Sequence, residues 1–253
     1  MDVFLFIPCF VDQLFPQVGI ATVKILQELN CRVIYPEQQT CCGQPAFNTG
    51  YQKEAAQLAS RFIEIFKDAE YVVAPSGSCA AMIKNFYGEL NLPGSSGKDW
   101  QNLRNKIYEL SDFLTSVLHV EKWDGHFPAR VTYHDSCHTL RELHVKDQPR
   151  LLLQSIAGVE LIEMENAETC CGFGGTFSVK FPLISTAMVQ NKVNWIQQSG
   201  AEIVVSTDSS CLMNIDGYLQ KQKIPLPDRR HTRSMHLAEI LWQSKENLRK
   251  KSV

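Results

Sequence analysis
The sequence predicts an α/β protein of two tandem, pseudo-symmetric units, each a mainly parallel sheet flanked by helices. Three observations predict it. A set of markers repeats at a nearly constant offset, short β-branched runs alternate with amphipathic helical stretches, and a 44% hydrophobic content over 253 residues can build a core in each unit. The first half reads Val3-Phe4-Leu5-Phe6-Ile7-Pro8-Cys9, then Cys41-Cys42-Gly43, then Ala74-Pro75-Ser76-Gly77-Ser78-Cys79. The second reads Val131-Thr132-Tyr133-His134-Asp135-Ser136-Cys137, then Cys170-Cys171-Gly172, then Ser206-Thr207-Asp208-Ser209-Ser210-Cys211. Corresponding cysteines stand 128, 129 and 132 positions apart, and Leu110-Ser111-Asp112-Phe113-Leu114 repeats as Leu237-Ala238-Glu239-Ile240-Leu241 at an offset of 127. The two units are expected at residues 1–125 and 126–253.

In chain order, the first half is read as strands near 3–7, 32–35 and 71–74, with helices near 17–29, 51–68, 79–90 and 102–119. The second half is read as strands near 130–134, 160–163 and 202–205, with helices near 147–157, 182–199, 209–221 and 235–248. Apolar strands alternating with helices point to parallel sheets covered on their faces, a Rossmann-like arrangement. Leu92-Pro93-Gly94-Ser95-Ser96-Gly97 reads as a loop, and Trp123-Asp124-Gly125-His126-Phe127-Pro128 as the link between halves.

A net charge of −2 argues against a nucleic-acid or anionic-membrane surface. The opening MDVFLFIPCFVDQLFP has no basic segment and no small-residue cleavage site, so secretion is not expected. No apolar run reaches the roughly 18–20 residues that span a bilayer. The expectation is a soluble, cytoplasmic protein. Nine cysteines are many for that compartment, where disulfides rarely persist, and point instead to metal or redox chemistry.

Cys9, Cys79, Cys137 and Cys211 each follow the carboxyl end of an expected strand, the edge at which open α/β sheets bind ligands. The two Cys-Cys-Gly motifs follow the second strand of each half. Folding should therefore gather Cys9, Cys41, Cys42 and Cys79 at one sheet edge, and separately Cys137, Cys170, Cys171 and Cys211 at the other. Four thiolates suit an iron–sulfur cluster or zinc. Structural zinc sites typically use cysteines spaced C-x₂₋₄-C, which neither half contains, whereas adjacent cysteines can reach different irons of a cluster. The glycines that follow let the backbone approach closely and offer amide donors to sulfur.

The paired motifs, together with Tyr133-His134-Asp135-Ser136-Cys137-His138 and Cys170-Cys171-Gly172-Phe173-Gly174-Gly175, resemble the CCG cysteine-rich domain family. That domain occurs twice in one of the subunits of heterodisulfide reductase and in the iron–sulfur subunit of glycolate oxidase. The short two-repeat form looks most like the lactate utilization protein A group. The resemblance implies an iron–sulfur electron-transfer subunit, with a cluster of the 4Fe-4S kind in one or both halves. It implies a complex oxidising L-lactate or a related 2-hydroxy acid, with a ferredoxin-type iron–sulfur subunit and a further subunit of the lactate utilization complex as partners. A thiol–disulfide reductase of the heterodisulfide type and a zinc-stabilised scaffold remain as alternatives. The fuller family pattern closes each half with C-x-x-C. Here Ser76 and Asp208 take the first position, which leaves four cysteines per half. Both are expected to cap the next helix, with an oxygen ligand as the alternative.

Cys31 has no counterpart in the second half and is expected to be buried and inert. His134 and His138 flank Cys137 where the first half has Phe6 and Phe10, so the chemistry of the first half cannot need histidine. Asp135 and Arg141 are expected to anchor their loop. The run Gly172-Phe173-Gly174-Gly175 lacks both the dinucleotide fingerprint spacing and a P-loop lysine, so nucleotide binding is not expected.

Overall fold
The computed structural model describes residues 1–221 and 232–251. Strands β1 (Asp2–Leu5), β2 (Arg32–Ile34), β3 (Val72–Ala74) and β4 (Ile107–Glu109) form one sheet in the order β2-β1-β3-β4. Strands β5 (His126–Tyr133), β6 (Ala157–Leu161), β7 (Ile203–Ser206) and β8 (Arg233–His236) form a second in the order β6-β5-β7-β8. Every pairing is parallel, with Phe4 beside Val72 and Val131 beside Ile203 at the centres of the sheets. The inner strands β3 and β7 are buried along their whole length, as strands covered on both faces must be, while the edge strand β2 keeps an exposed residue. The α/β class and the parallel sheets are as the sequence predicts.

The first half carries helices α1 (Cys9–Leu14), α2 (Pro16–Glu28), α3 (Gln44–Asn48), α4 (Gln52–Phe66), α5 (Gly77–Asn85), α6 (Ser96–Leu103) and the single turn α7 (Leu110–Asp112). The second carries α8 (Cys137–Arg141), α9 (Asp147–Gln154), α10 (Thr176–Lys180), α11 (Pro182–Gln198), α12 (Ser209–Lys221) and α13 (Leu237–Lys251). Three apolar clusters hold these layers. One lies between the halves and joins Leu5, Phe113 and Trp123 to Leu152, Met235 and Leu241; the others lie under α4 and α5, and under α11 and α12. The halves meet through pairs that the internal repeat makes equivalent: α1 with α12 and α5 with α8, then α2 with α13 and α7 with α9. No helix among the described residues is long and apolar enough to cross a membrane.

Several local expectations need correction. The stretch 102–119 is not one helix; a 3₁₀ turn at Arg104–Lys106 leads into β4, then α7, then a π-helical turn at Phe113–Val117. Likewise β8 precedes α13 within the stretch read as helix from 235. Neither short strand carries a period-2 signal of its own; each exists because β3 or β7 offers an open edge to pair with. The expected link at 123–128 is structured instead. Strand β5 begins at His126, and Trp123 is buried, its Nε1 donating to the Leu241 carbonyl at 3.0 Å. Helix α6 starts inside the segment read as a loop at 92–97, and α5 stops at Asn85 before a 3₁₀ turn.

Candidate metal centres
In a sheet of this strand order the chain leaves β1 and β3 in opposite directions, so their carboxyl ends open a crevice. Cys9 starts the helix after β1 and Cys79 lies in the first turn of the helix after β3, which puts one on each side of that crevice. The loop after β2 brings Cys41 and Cys42. The Sγ atoms of Cys9 and Cys41 lie 3.7 Å apart and those of Cys42 and Cys79 3.4 Å apart. Around β5 and β7 the same construction places Cys137 and Cys211 beside Cys170 and Cys171. All nine cysteines are free thiols.

Each Cys-Cys-Gly motif is a local device. Gly43 and Gly172 sit at φ 86° and 87°, a left-handed conformation that side chains disfavour, and this turns each amide back to donate to the first sulfur of its pair. Those N–H···Sγ contacts, to Cys41 and Cys170, are both 3.4 Å. A Cβ on Gly172 would stand 2.8 Å from the Ser185 carbonyl oxygen, so α11 packs where only glycine fits.

The electrostatics follow from these contacts. Cys41 receives hydrogen bonds from the Cys42 and Cys9 thiols and from the Gly43 amide, which hold it down to about 3. Cys170 is held down to about 2 by the Cys137 and Cys171 thiols and the Gly172 amide. Their donors Cys9, Cys42, Cys137 and Cys171 are pushed up, because the hydrogen bond to a neighbouring sulfur favours the thiol and burial adds to it. In each half the first cysteine of the pair is therefore the thiolate, and its sulfur donors are the second cysteine of the pair and the cysteine that follows the first strand of that half.

The two cysteine sets open onto one shared cavity. A cavity of about 120 Å³ between the halves is lined by all eight cysteines of the two sets. The sheets present their carboxyl edges to one another, and Asp208 links them. Its Oδ1 accepts from the Ser210 amide at 3.3 Å and the Ser210 hydroxyl at 2.6 Å, while Oδ2 accepts from the Ser78 amide of the other half at 2.9 Å. Ser76 Oγ accepts from the Cys79 amide at 3.4 Å. Both residues thus act as helix caps, and Asp208 serves two helices at once. Gly77 permits the approach, since a Cβ there would fall 1.7 Å from Thr139 Oγ1.

Cys31 lies buried ahead of β2, away from the cavity. His138 Nδ1 is 3.5 Å from the Cys137 sulfur, and its Nε2 is 3.3 Å from Gln44 Nε2 across the cavity. His134 is fully buried, neither ring nitrogen makes a hydrogen bond, and one ring nitrogen lies within 4.8 Å of the sulfurs of Cys171 and Cys211. Burial, then the nearby Lys192, hold this imidazole down to about 3, in its neutral form. Asp135 anchors its loop through a two-pronged contact with Arg150, at 2.8 Å for each pair. Two residues escaped the sequence reading. Gln44 carries no pattern that would single it out. Lys192 does, since it occupies a buried position of α11 between Val189 and Val193, where a cation is out of place.

A model described as the CCG cysteine-rich domain matches residues 3–84 and again residues 131–216. The chain belongs to the CCG cysteine-rich domain family. Within that family it is 45% identical to lactate utilization protein A of Geobacillus kaustophilus over 241 residues, covering 95% of this chain and 98% of that protein. It is 46% identical to lactate utilization protein A of Halalkalibacterium halodurans over 241 residues, covering 95% and 96%. In fold it is similar to the crystal structure of a hypothetical protein from Helicobacter pylori, with a TM-score of 0.64 and 10% identity. That match covers 96% of this chain and 48% of the other, so the fold of this chain corresponds to about half of that molecule.

The donor set of this CCG pair fits a soft metal or cluster. Each half gathers four sulfurs, one of them ionised, with a backbone amide already aimed at sulfur. Around a single ion with metal–sulfur bonds of about 2.3 Å, tetrahedral sulfurs lie about 3.8 Å apart. The first-half sulfur pairs sit close to that spacing. A cluster needs a wider spread, for which the half-buried Cys9 and Cys41 have the cavity to turn into.

Proposed function
We propose that this chain is an iron–sulfur electron-transfer subunit of a cytoplasmic complex that oxidises L-lactate or a related 2-hydroxy acid. The ligands are Cys9, Cys41, Cys42 and Cys79 in a first domain, residues 1–125, and Cys137, Cys170, Cys171 and Cys211 in a second, residues 126–253. Four thiolates per half match the ligand requirement of a [4Fe–4S] cluster. The observation that carries this reading is the single cavity lined by both cysteine sets, because centres facing one cavity are close enough to exchange electrons. The names of the relatives supply the substrate class. A ferredoxin-type iron–sulfur subunit and a further subunit of the complex would complete the chain of carriers. The exposed Val179, Phe181, Leu183 and Ile184, just beyond the cavity-lining Gly174 and Gly175, support docking of such a partner.

Anaerobic purification with iron, sulfide and EPR analysis tests the proposal. About four irons per loaded site are expected. A second reading, a zinc-stabilised subunit, is favoured by the second half, where His134, Cys171 and Cys211 offer ligand atoms within 4.8 Å of one another. One or two zinc ions per chain with no iron from anaerobic cells would establish it instead.

A further inference from the structure
The internal duplication gives each cysteine set a built-in comparison. Behind the first set, Phe6 and Phe62 pack edge to face with ring centroids 5.0 Å apart. Helices α4 and α11 bury corresponding positions, Ala55, Ala59, Phe62, Ile63 and Phe66 against Ser185, Val189, Lys192, Val193 and Ile196, all at an offset of 130. The positions of Phe6 and Phe62 are therefore taken in the second half by His134 and Lys192, and that of Phe10 by His138.

Two aromatic positions that pack with Cys42 and Cys79 are basic in the second half, while Phe10 itself packs on Phe173 of the second half, ring centroids 5.5 Å apart. Lys192 is fully buried, and its Nζ donates to the carbonyls of Asn166 at 2.7 Å and Ala167 at 3.1 Å, just ahead of the Cys170-Cys171 pair. Burying an ammonium is costly unless negative charge offsets it. The Cys170 thiolate and the Asp135 carboxylate are the negative groups nearby that do so here. His134 brings an unpartnered ring nitrogen to the same sulfurs, and His138 stands at Cys137. A neutral, uncharged lining would have been the simpler way to fill this space, as the first half demonstrates.

We propose that the two centres are electronically inequivalent: His134, His138 and Lys192 give the second-half centre the higher reduction potential, and Phe6 and Phe62 leave the first-half centre the lower. This rests on the electron-transfer reading and gives it a direction. Gaining an electron adds negative charge, which a buried cation and ring N–H donors stabilise and apolar rings do not. An electron from a reduced iron–sulfur partner then resides in the second half, with the donor oxidised by one electron and the second-half centre reduced by one.

The test uses the full chain, prepared anaerobically with ferrous iron and sulfide and titrated under EPR. Iron and sulfide analysis of each sample comes first, because a chain that holds no iron refutes the electron-transfer reading itself. With iron bound, two potentials are expected. Cys9→Ser with Cys41→Ser should remove the lower, and Cys137→Ser with Cys170→Ser the higher. Lys192→Met should shift only the higher potential downward and narrow the separation. His138→Phe, at a half-buried position, should act in the same direction and serves if Lys192→Met does not fold. Equal potentials, a lower potential assigned to the second half, or an unchanged separation in the iron-loaded Lys192 and His138 variants would each overturn the inference.

Discussion

Asp208 is the residue whose loss should be felt in both halves at once. Its carboxylate is 1% exposed and accepts four hydrogen bonds, from the Ser210 amide and hydroxyl in its own half and from the Ser78 amide and Ser76 hydroxyl in the other. Asp208→Ala removes one helix cap worth about 1 kcal/mol and a charge-assisted contact across the halves worth about 2 kcal/mol. The expected loss is about 3 kcal/mol in urea-induced unfolding, or about 6–12 °C in melting temperature for a chain of this size. Asp208→Asn should cost about half as much, since one amide oxygen can still accept from one of the two helix ends. The measurement belongs on metal-free protein, so that capping is separated from any effect on metal content. A cost below about 1 kcal/mol for Asp208→Ala would refute the double cap. A normal metal-free stability combined with lost metal in Asp208→Asn would assign the carboxylate as an oxygen ligand instead.

Three further outcomes follow from the geometry. Gly77→Ala should destabilise by at least about 2 kcal/mol, because its Cβ would lie 1.7 Å from Thr139 Oγ1 and 2.7 Å from Thr139 Cβ, with partial recovery in a Thr139→Ala background measured as a double-mutant cycle. Glu109 is fully buried with one unpartnered oxygen, and burial pushes its carboxyl up to about 8. The folded form therefore keeps a proton that the unfolded chain releases near pH 4.5, so this residue should lower stability as pH rises from about 4.5 to about 8. Urea midpoints of Glu109→Gln should fall less over that window; parallel curves would remove the assignment. In metal-free protein at pH 6, iodoacetamide should modify Cys41 and Cys170 before Cys9 and Cys137, as read by peptide mass spectrometry, because only the first two are held as thiolates. Preferential labelling of Cys9 or Cys137 would contradict the hydrogen-bond directions described above.

The larger elements were legible because their signals are local and strong. Helix α11 was expected near 182–199 and runs Pro182–Gln198; α12 was expected near 209–221 and runs Ser209–Lys221. The strands β4 and β8 were not legible. Ile107-Tyr108-Glu109 has the composition of a helix end, and only the open edge of β3 makes it a strand. The glycine and proline that follow Trp123 give it the local signature of a linker, yet its indole is enclosed by α13 from the other end of the chain. Gln44 was invisible for a similar reason, since its partner His138 is 94 positions away.

The duplication, the eight paired cysteines and the glycine after each vicinal pair are readable from the chain alone. These follow from spacing and from backbone sterics that act within a few residues. Long-range packing sets the rest: the two sheet edges face one another across a shared cavity, Asp208 caps a helix in each half, and Lys192 stands behind one set of sulfurs while Phe62 stands behind the other. Which surfaces of two similar units meet depends on complementary contacts between residues far apart in the chain, such as Gly77 against Thr139, and no local pattern encodes that pairing.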